Sequence, residues 1–85
     1  MPRIVIFTSA LCGFCTRAKQ LLSQKGLDYE EVEVTFDPTR RAEMTQLAGG
    51  RRTVPQIFIG DRHVGGADDL YALEREGRLD DLLAA

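Results

Sequence analysis

Two cysteines, Cys12 and Cys15, stand three positions apart in Leu-Cys-Gly-Phe-Cys and are the only cysteines of the 85-residue chain. Thiols at this spacing serve as a metal clip, a structural crosslink or a reactive pair. A tetrahedral zinc or iron site wants four ligands, and beyond the cysteines the chain offers one histidine, His63, far along the sequence. His63 itself reads as a strand residue facing solvent or a partly buried polar group. A structural disulfide here would close a loop that one helical turn already orders, contributing only about 2 kcal/mol in the chain-entropy picture. The reactive reading has a physical basis. A helix beginning just after Cys12 leaves its first N–H groups unpaired, with the positive end of the helix dipole behind them, and such donors favour a thiolate over a thiol. Cys15, one turn inside that helix, is within bonding distance of Cys12 yet more shielded, which suits a resolving thiol. A stabilised thiolate is also a good leaving group, so Cys12 suits a protein that repeatedly forms and releases mixed disulfides.

The elements that must hold this pair are legible around it. Residues 3–8 are β-branched and aromatic, as in a short strand buried on both faces. Phe14, Ala18, Leu21 and Leu22 recur at helical spacing up to Gly26, so the cysteines occupy a strand-to-helix junction. Val32, Val34 and Phe36 alternate with charged or polar residues and predict a second strand with one apolar face. Asp37 is the expected cap, and Pro38 the first residue, of a helix with Met44 and Leu47 inward, ended by Gly49 and Gly50. Residues 54–59 and 62–66, joined through Gly60 and Asp61, predict a β-hairpin. A last helix from about Asp68 to Glu76 buries Leu70 and Leu73 and ends at Gly77, leaving residues 79–85 as a short tail. The predicted order is β-α-β-α-β-β-α, an α/β fold with a central mixed sheet.

Composition bounds the rest. The length predicts a single domain spanning residues 1–85. Hydrophobic content of 44% with 28% charged residues describes an ordinary globular chain. A net charge of −2 argues against general nucleic-acid binding. The N-terminal apolar run is too short for a signal peptide or membrane span, so the expected location is cytoplasmic, where thiols serve chemistry or metal binding more often than stapling. Arg40–Arg41 and Arg51–Arg52 are basic pairs, either solvated surface or a place for a small anion. Read locally, Thr53-Val54-Pro55 is a strand entry with the usual trans peptide. The glycines at 65 and 66 before a helix are either an ordinary turn capped by Asp68 or a helix start whose N–H groups receive a carboxylate.

Taken together, Cys-Gly-Phe-Cys after a strand, Arg-Thr-Val-Pro-Gln-Ile-Phe-Ile-Gly from residue 52, and His-Val-Gly-Gly-Ala-Asp-Asp-Leu-Tyr-Ala-Leu from residue 63 resemble a glutaredoxin, closest to the small bacterial dithiol class. The three motifs cover nearly the whole chain in the expected order. The resemblance implies a thioredoxin fold: a four-stranded mixed sheet with helices on both faces, β1 and β2 parallel, and the β3–β4 hairpin antiparallel to them. It places Pro55 after a cis peptide, reversing the local preference. It implies a glutathione-dependent oxidoreductase acting on protein disulfides and glutathionylated proteins, with Cys12 the nucleophile that takes the glutathionyl group and Cys15 the resolving thiol. The implied glutathione contacts are Phe14, Thr53, Val54, Pro55, Gly66, Ala67 and Asp68. Arg41 is expected at the glycyl carboxylate, with Arg40 as a substitute.

Three departures from the family pattern stand out. Ser9 occupies a region where many members carry a lysine. Gly13 and Phe14 replace the proline and tyrosine of the usual dithiol motif. Cys-Gly-Phe also matches the start of the monothiol motif, whose owners hold a [2Fe–2S] cluster between two subunits with two glutathiones. The monomer is thus expected to bind no metal alone, with Cys12 the candidate cluster ligand of a bridged homodimer. A thioredoxin-type reductant is disfavoured because the chain has no tryptophan.

Overall fold

A computed structural model describes residues 2–84. In chain order the elements are β1 (Ile4–Thr8), α1 (Gly13–Gln24), β2 (Glu30–Glu33), α2 (Pro38–Leu47), β3 (Gln56–Ile59), β4 (Arg62–Gly65), α3 (Ala67–Arg75) and α4 (Arg78–Ala84). The strands form one sheet in the order β2-β1-β3-β4. β1 pairs parallel with β2, which requires a crossover that α1 supplies. β3 runs antiparallel to β1 and to β4. Within the hairpin, therefore, only β3 opposes the parallel pair, and β4 turns back to its direction.

The alternation of side chains along β1 divides the interior in two. Ile4 and Ile6 face Ala18, Leu21 and Leu22 of α1, Leu70 of α3, and Leu79 and Leu83 of α4. Phe7 faces the other way, clustering with Val34 and with Met44 of α2, and Val5 packs against that group. A strand covered on both faces has to be apolar at every position, which explains the unbroken Ile-Val-Ile-Phe run.

Four expectations change. β2 ends at Glu33, and Phe36 lies beyond it in a turn, 96% exposed rather than packed beside Val34. Leu47, at the last position of α2, is 61% exposed, and Ala48 takes the buried place. On α1 the inward stripe begins at Cys15, and Phe14 is 57% exposed. Of the residues expected as a tail, 79–84 belong to α4, with Leu79 and Leu83 buried in the larger core, and Ala85 lies outside the described residues. Gly77, at φ +71, ends α3 in the left-handed conformation and lets a second helix start at once. Lys25, at the end of α1, fixes that helix: its ammonium lies 3.0 Å from Glu74 and 2.9 Å from Asp80. Hydrogen bonds that the ammonium donates to the Asp80 and Glu74 carboxylates raise its pKa.

Candidate active site

Cys12 sits at the N-cap of α1 in an extended conformation, φ −112° and ψ 102°. Its Sγ accepts the backbone N–H of Cys15 at 3.1 Å. Helix caps at this position are ordinarily side-chain oxygens. A sulfur in their place receives the same unpaired donor and the same dipole field, which favour the anionic form. Cys15 is 2% exposed, whereas Cys12 is half-buried. The two are joined as a disulfide with Cα atoms 5.2 Å apart. Leu11, just before the cap, has a left-handed backbone, φ +55°, and a fully exposed side chain. A non-glycine residue in this conformation costs about 1–2 kcal/mol, so the turn that delivers Cys12 to the helix start is held against a local preference. The Ala10 N–H anchors it by donating to Thr35 Oγ1 at 2.8 Å.

Beside the cysteines lies a cleft of about 230 Å³. One wall is Phe14, at the start of α1; the floor is Thr53, Val54 and Pro55; the far wall is Gly66, Ala67 and Asp68, at the start of α3. Cys12 Sγ stands 3.9 Å from the Val54 carbonyl oxygen. The Val54–Pro55 peptide is cis, as the resemblance implied and against the local reading. The cap of α3 is Gly66, not Asp68, and its N–H donates to the Asp69 carboxylate at 2.9 Å. The N–H groups of Ala67 and Asp68, in the first turn, have no intrahelical acceptor and form the ready-made anion site of a helix start.

The arginines of the two basic pairs occupy different places. Arg41 is not among the residues lining the cleft, because its guanidinium donates to the Arg52 carbonyl at 3.1 Å. Arg40 lies over the α2 face of the sheet, lining a groove with Arg3 and Phe58. Arg51 is the arginine at the cleft, its Nη1 3.1 Å from Asp69 Oδ2. The sequence displayed Arg51 only as half of a basic pair. The Gly66 N–H, aided by Arg51, holds the Asp69 carboxyl below the usual carboxylate range despite partial burial. Gly65 makes this arrangement sterically feasible: a Cβ there would lie 2.8 Å from both Arg51 Nη1 and Asp69 Cγ, and its φ is +119°.

Gln56 escaped the reading of the sequence as a functional residue, although it is wholly buried at the start of β3, directly after the cleft floor. A glutamine opening an otherwise apolar strand is the signal that would have marked it. Among the described residues no group of three or more His, Cys, Asp or Glu gathers. The space beside Gly13 is open, since a Cβ there would meet nothing within 4 Å. Among the described residues no helix is long and apolar enough to cross a membrane.

Residues 4–64 match the sequence model of the glutaredoxin family. Over 85 residues, the full length of both chains, the protein is 56% identical to the glutaredoxin of Pseudomonas aeruginosa. The buckwheat glutaredoxin–glutathione complex shares its fold with a TM-score of 0.87 at 35% identity, covering 98% of this chain and 77% of that one. A solved structure described as "Metal Binding of Glutaredoxins" is 54% identical, with a TM-score of 0.74 over 98% of this chain and 89% of that one. A cysteine pair at a helix start, a thioredoxin-type sheet and identity above one half along two whole chains agree: this chain belongs to the glutaredoxin family of thiol–disulfide oxidoreductases.

Proposed function

We propose that the protein reduces glutathionylated proteins and protein disulfides with electrons from glutathione, in the cytoplasm, through Cys12 and Cys15. The observation that carries this reading is the pairing of a half-buried, helix-capping Cys12 with a 2%-exposed Cys15 at the edge of a cleft. In the monothiol route the Cys12 thiolate attacks the glutathionyl sulfur of a mixed disulfide. The target protein's thiolate leaves, and Cys12 carries the glutathionyl group. A second glutathione thiolate then attacks that sulfur, giving oxidised glutathione and regenerating the Cys12 thiolate. In the dithiol route Cys12 attacks a protein disulfide, and Cys15 attacks Cys12 Sγ to expel the second protein thiolate. This leaves the Cys12–Cys15 disulfide, the form described above, which two glutathiones reduce.

Glutathione is the ligand whose chemistry fits the cleft. Its γ-glutamyl carboxylate suits the free N–H groups of Ala67 and Asp68, and its cysteinyl backbone suits Val54 next to Pro55. Its glycyl carboxylate suits Arg41, whose guanidinium already donates to the Arg52 carbonyl one residue before Thr53, whereas Arg51, paired with Asp69 and close to Gly66, stands at the γ-glutamyl end. Phe14 and Gly66 close the two walls, and Thr53 adds a hydroxyl at the floor. The buckwheat relative solved with glutathione supports this assignment. The test is turnover of a glutathionylated peptide: Cys12→Ser should abolish it, and Cys15→Ser should retain it while losing dithiol reduction of protein disulfides. Retained turnover in Cys12→Ser would refute the reading.

A second reading draws on the open space at Gly13 and on the relative described for metal binding. One chain supplies a single accessible thiolate, so a [2Fe–2S] cluster would need Cys12 from two copies and the thiolates of two glutathiones. When bound, such a cluster supplies electron- or cluster-transfer chemistry, and Cys12 is the residue that would hold it. Anaerobic reconstitution with iron, sulfide and glutathione should give a coloured dimer. A colourless monomer would refute it.

A further inference from the structure

Gln56 is buried to 0% exposure, and each polar atom of its side chain has a partner. Its Nε2 donates to the Thr53 carbonyl oxygen at 2.9 Å and lies 3.2 Å from Thr53 Oγ1. Its Oε1 lies 2.7 Å from His63 Nε2. A carbonyl only accepts, so the Thr53 contact fixes which end of the amide is nitrogen. The oxygen then faces His63, and Nε2 of that ring must carry the proton. His63 is held in place by stacking on Phe58, ring centroids 4.9 Å apart at 29°. The segment Thr53–Gln56 is thereby closed by a side chain. Pro55 has no N–H, and the Gln56 amide supplies a donor to the residue three positions back, the span a β-turn bond would bridge. Buried polar networks in which every member is satisfied hold a single geometry, and a member removed leaves its partner unpaired.

We infer that Gln56 and His63 are positioning residues that set the affinity for glutathione by fixing Thr53 and Val54 on the cleft floor. This rests on the proposed glutathione cleft. With Thr53 Oγ1 turned to the Gln56 amide as an acceptor, its own hydroxyl hydrogen is directed away from that amide and available to a ligand acceptor. With the Thr53 carbonyl pinned inward, the following residue, Val54, is presented to the cysteinyl backbone of glutathione. His63 is not among the residues lining the cleft; it holds the Gln56 amide in the orientation that binds Thr53.

The experiment compares Gln56→Met, Gln56→Glu, His63→Phe and His63→Gln with the parent, all in the Cys15→Ser background. Each reduced protein is mixed with oxidised glutathione, one half of which must seat in the cleft as Cys12 takes its glutathionyl group and releases the other half as thiolate, or with hydroxyethyl disulfide, which carries no carboxylate. Gln56→Met should raise the apparent KM for oxidised glutathione by about tenfold while changing the limiting rate and the hydroxyethyl disulfide rate by less than about twofold. Gln56→Glu keeps an acceptor for His63 but sets a carboxylate oxygen against the Thr53 carbonyl, and should raise KM at least as much. His63→Phe should shift KM in the same direction, and His63→Gln, whose amide can donate to the same Oε1, should restore it. Parent-like KM values in folded Gln56 and His63 variants would overturn the inference. Should the Gln56 variants fail to fold, the two His63 variants decide by the same criterion. If the parent forms no adduct with oxidised glutathione, the cleft reading itself fails, an outcome distinct from parent-like variants on a functioning cleft.

Discussion

The backbone N–H of Cys15 points at the sulfur of Cys12 from 3.1 Å, so the amide of the buried cysteine favours a thiolate at the more accessible one. The two cysteines differ in access as well as in field, one half-buried and the other 2% exposed. In the reduced protein, a short exposure to iodoacetamide should therefore label Cys12 almost alone. Peptide mapping by mass spectrometry checks this, and equal labelling of both cysteines would contradict the assignment of roles.

The last helix is part of the core. Leu79 is wholly buried against the cluster that includes Ile4 and Leu22. Leu79→Ala should cost about 2–5 kcal/mol in chemical denaturation, the range for removing a buried leucine side chain. A loss near zero would mean that residues 78–84 do not pack as described.

Gly65 makes room for the Arg51–Asp69 pair beside the cleft. In Gly65→Ala the added Cβ meets Arg51 Nη1 and Asp69 Cγ at 2.8 Å on a backbone at φ +119°. Backbone strain alone should cost about 1–3 kcal/mol. Displacement of Arg51 should also weaken glutathione use. Thermal denaturation and glutathione kinetics on the same sample read both effects, and a variant unchanged in both would remove the steric argument.

His63 should make stability fall in mild acid. Burial, with the nearby Arg51 charge, lowers its pKa below the ordinary 6.5, and Asp69 opposes this only in part. The unfolded chain then binds the proton first as pH drops. The stabilisation is fully present above the unfolded value and is lost as pH falls through the lower folded one. His63→Gln, which keeps a donor to Gln56 but does not titrate, should flatten the denaturation midpoint between neutral pH and the onset of carboxylate protonation. Further into acid, Glu31 and Asp69 act in the same direction. The Thr8 hydroxyl, with Lys19, lowers the first, and the Gly66 N–H, with Arg51, lowers the second. Their contributions are present above the ordinary carboxylate values and lost as pH falls through the folded ones. An identical slope in His63→Gln across the mild-acid range would remove His63 from this account.

The sequence by itself determined what is local or motif-borne. Cys12 and Cys15 at a strand–helix junction, the apolar β1, Asp37 and Pro38 opening α2, and the Gly60–Asp61 hairpin all follow from spacing, capping and turn chemistry within a few residues. The resemblance added the cis Val54–Pro55 bond and the residues of the cleft, which local preferences alone would have missed. Tertiary structure decided the features that depend on where a side chain points after the chain has folded back. Phe36 and Leu47 have the spacing of buried residues, but they fall where β2 and α2 end and nothing lies above them. Residues 78–84 look like a tail until the core offers Leu79 and Leu83 a surface to cover. Arg51 lines the cleft because it pairs with Asp69 of α3, and Gly65, lacking a Cβ, leaves that pair its space. Gln56 gains its meaning only when the hairpin brings His63 back beside it, a contact between neighbouring strands that periodicity along either one does not encode.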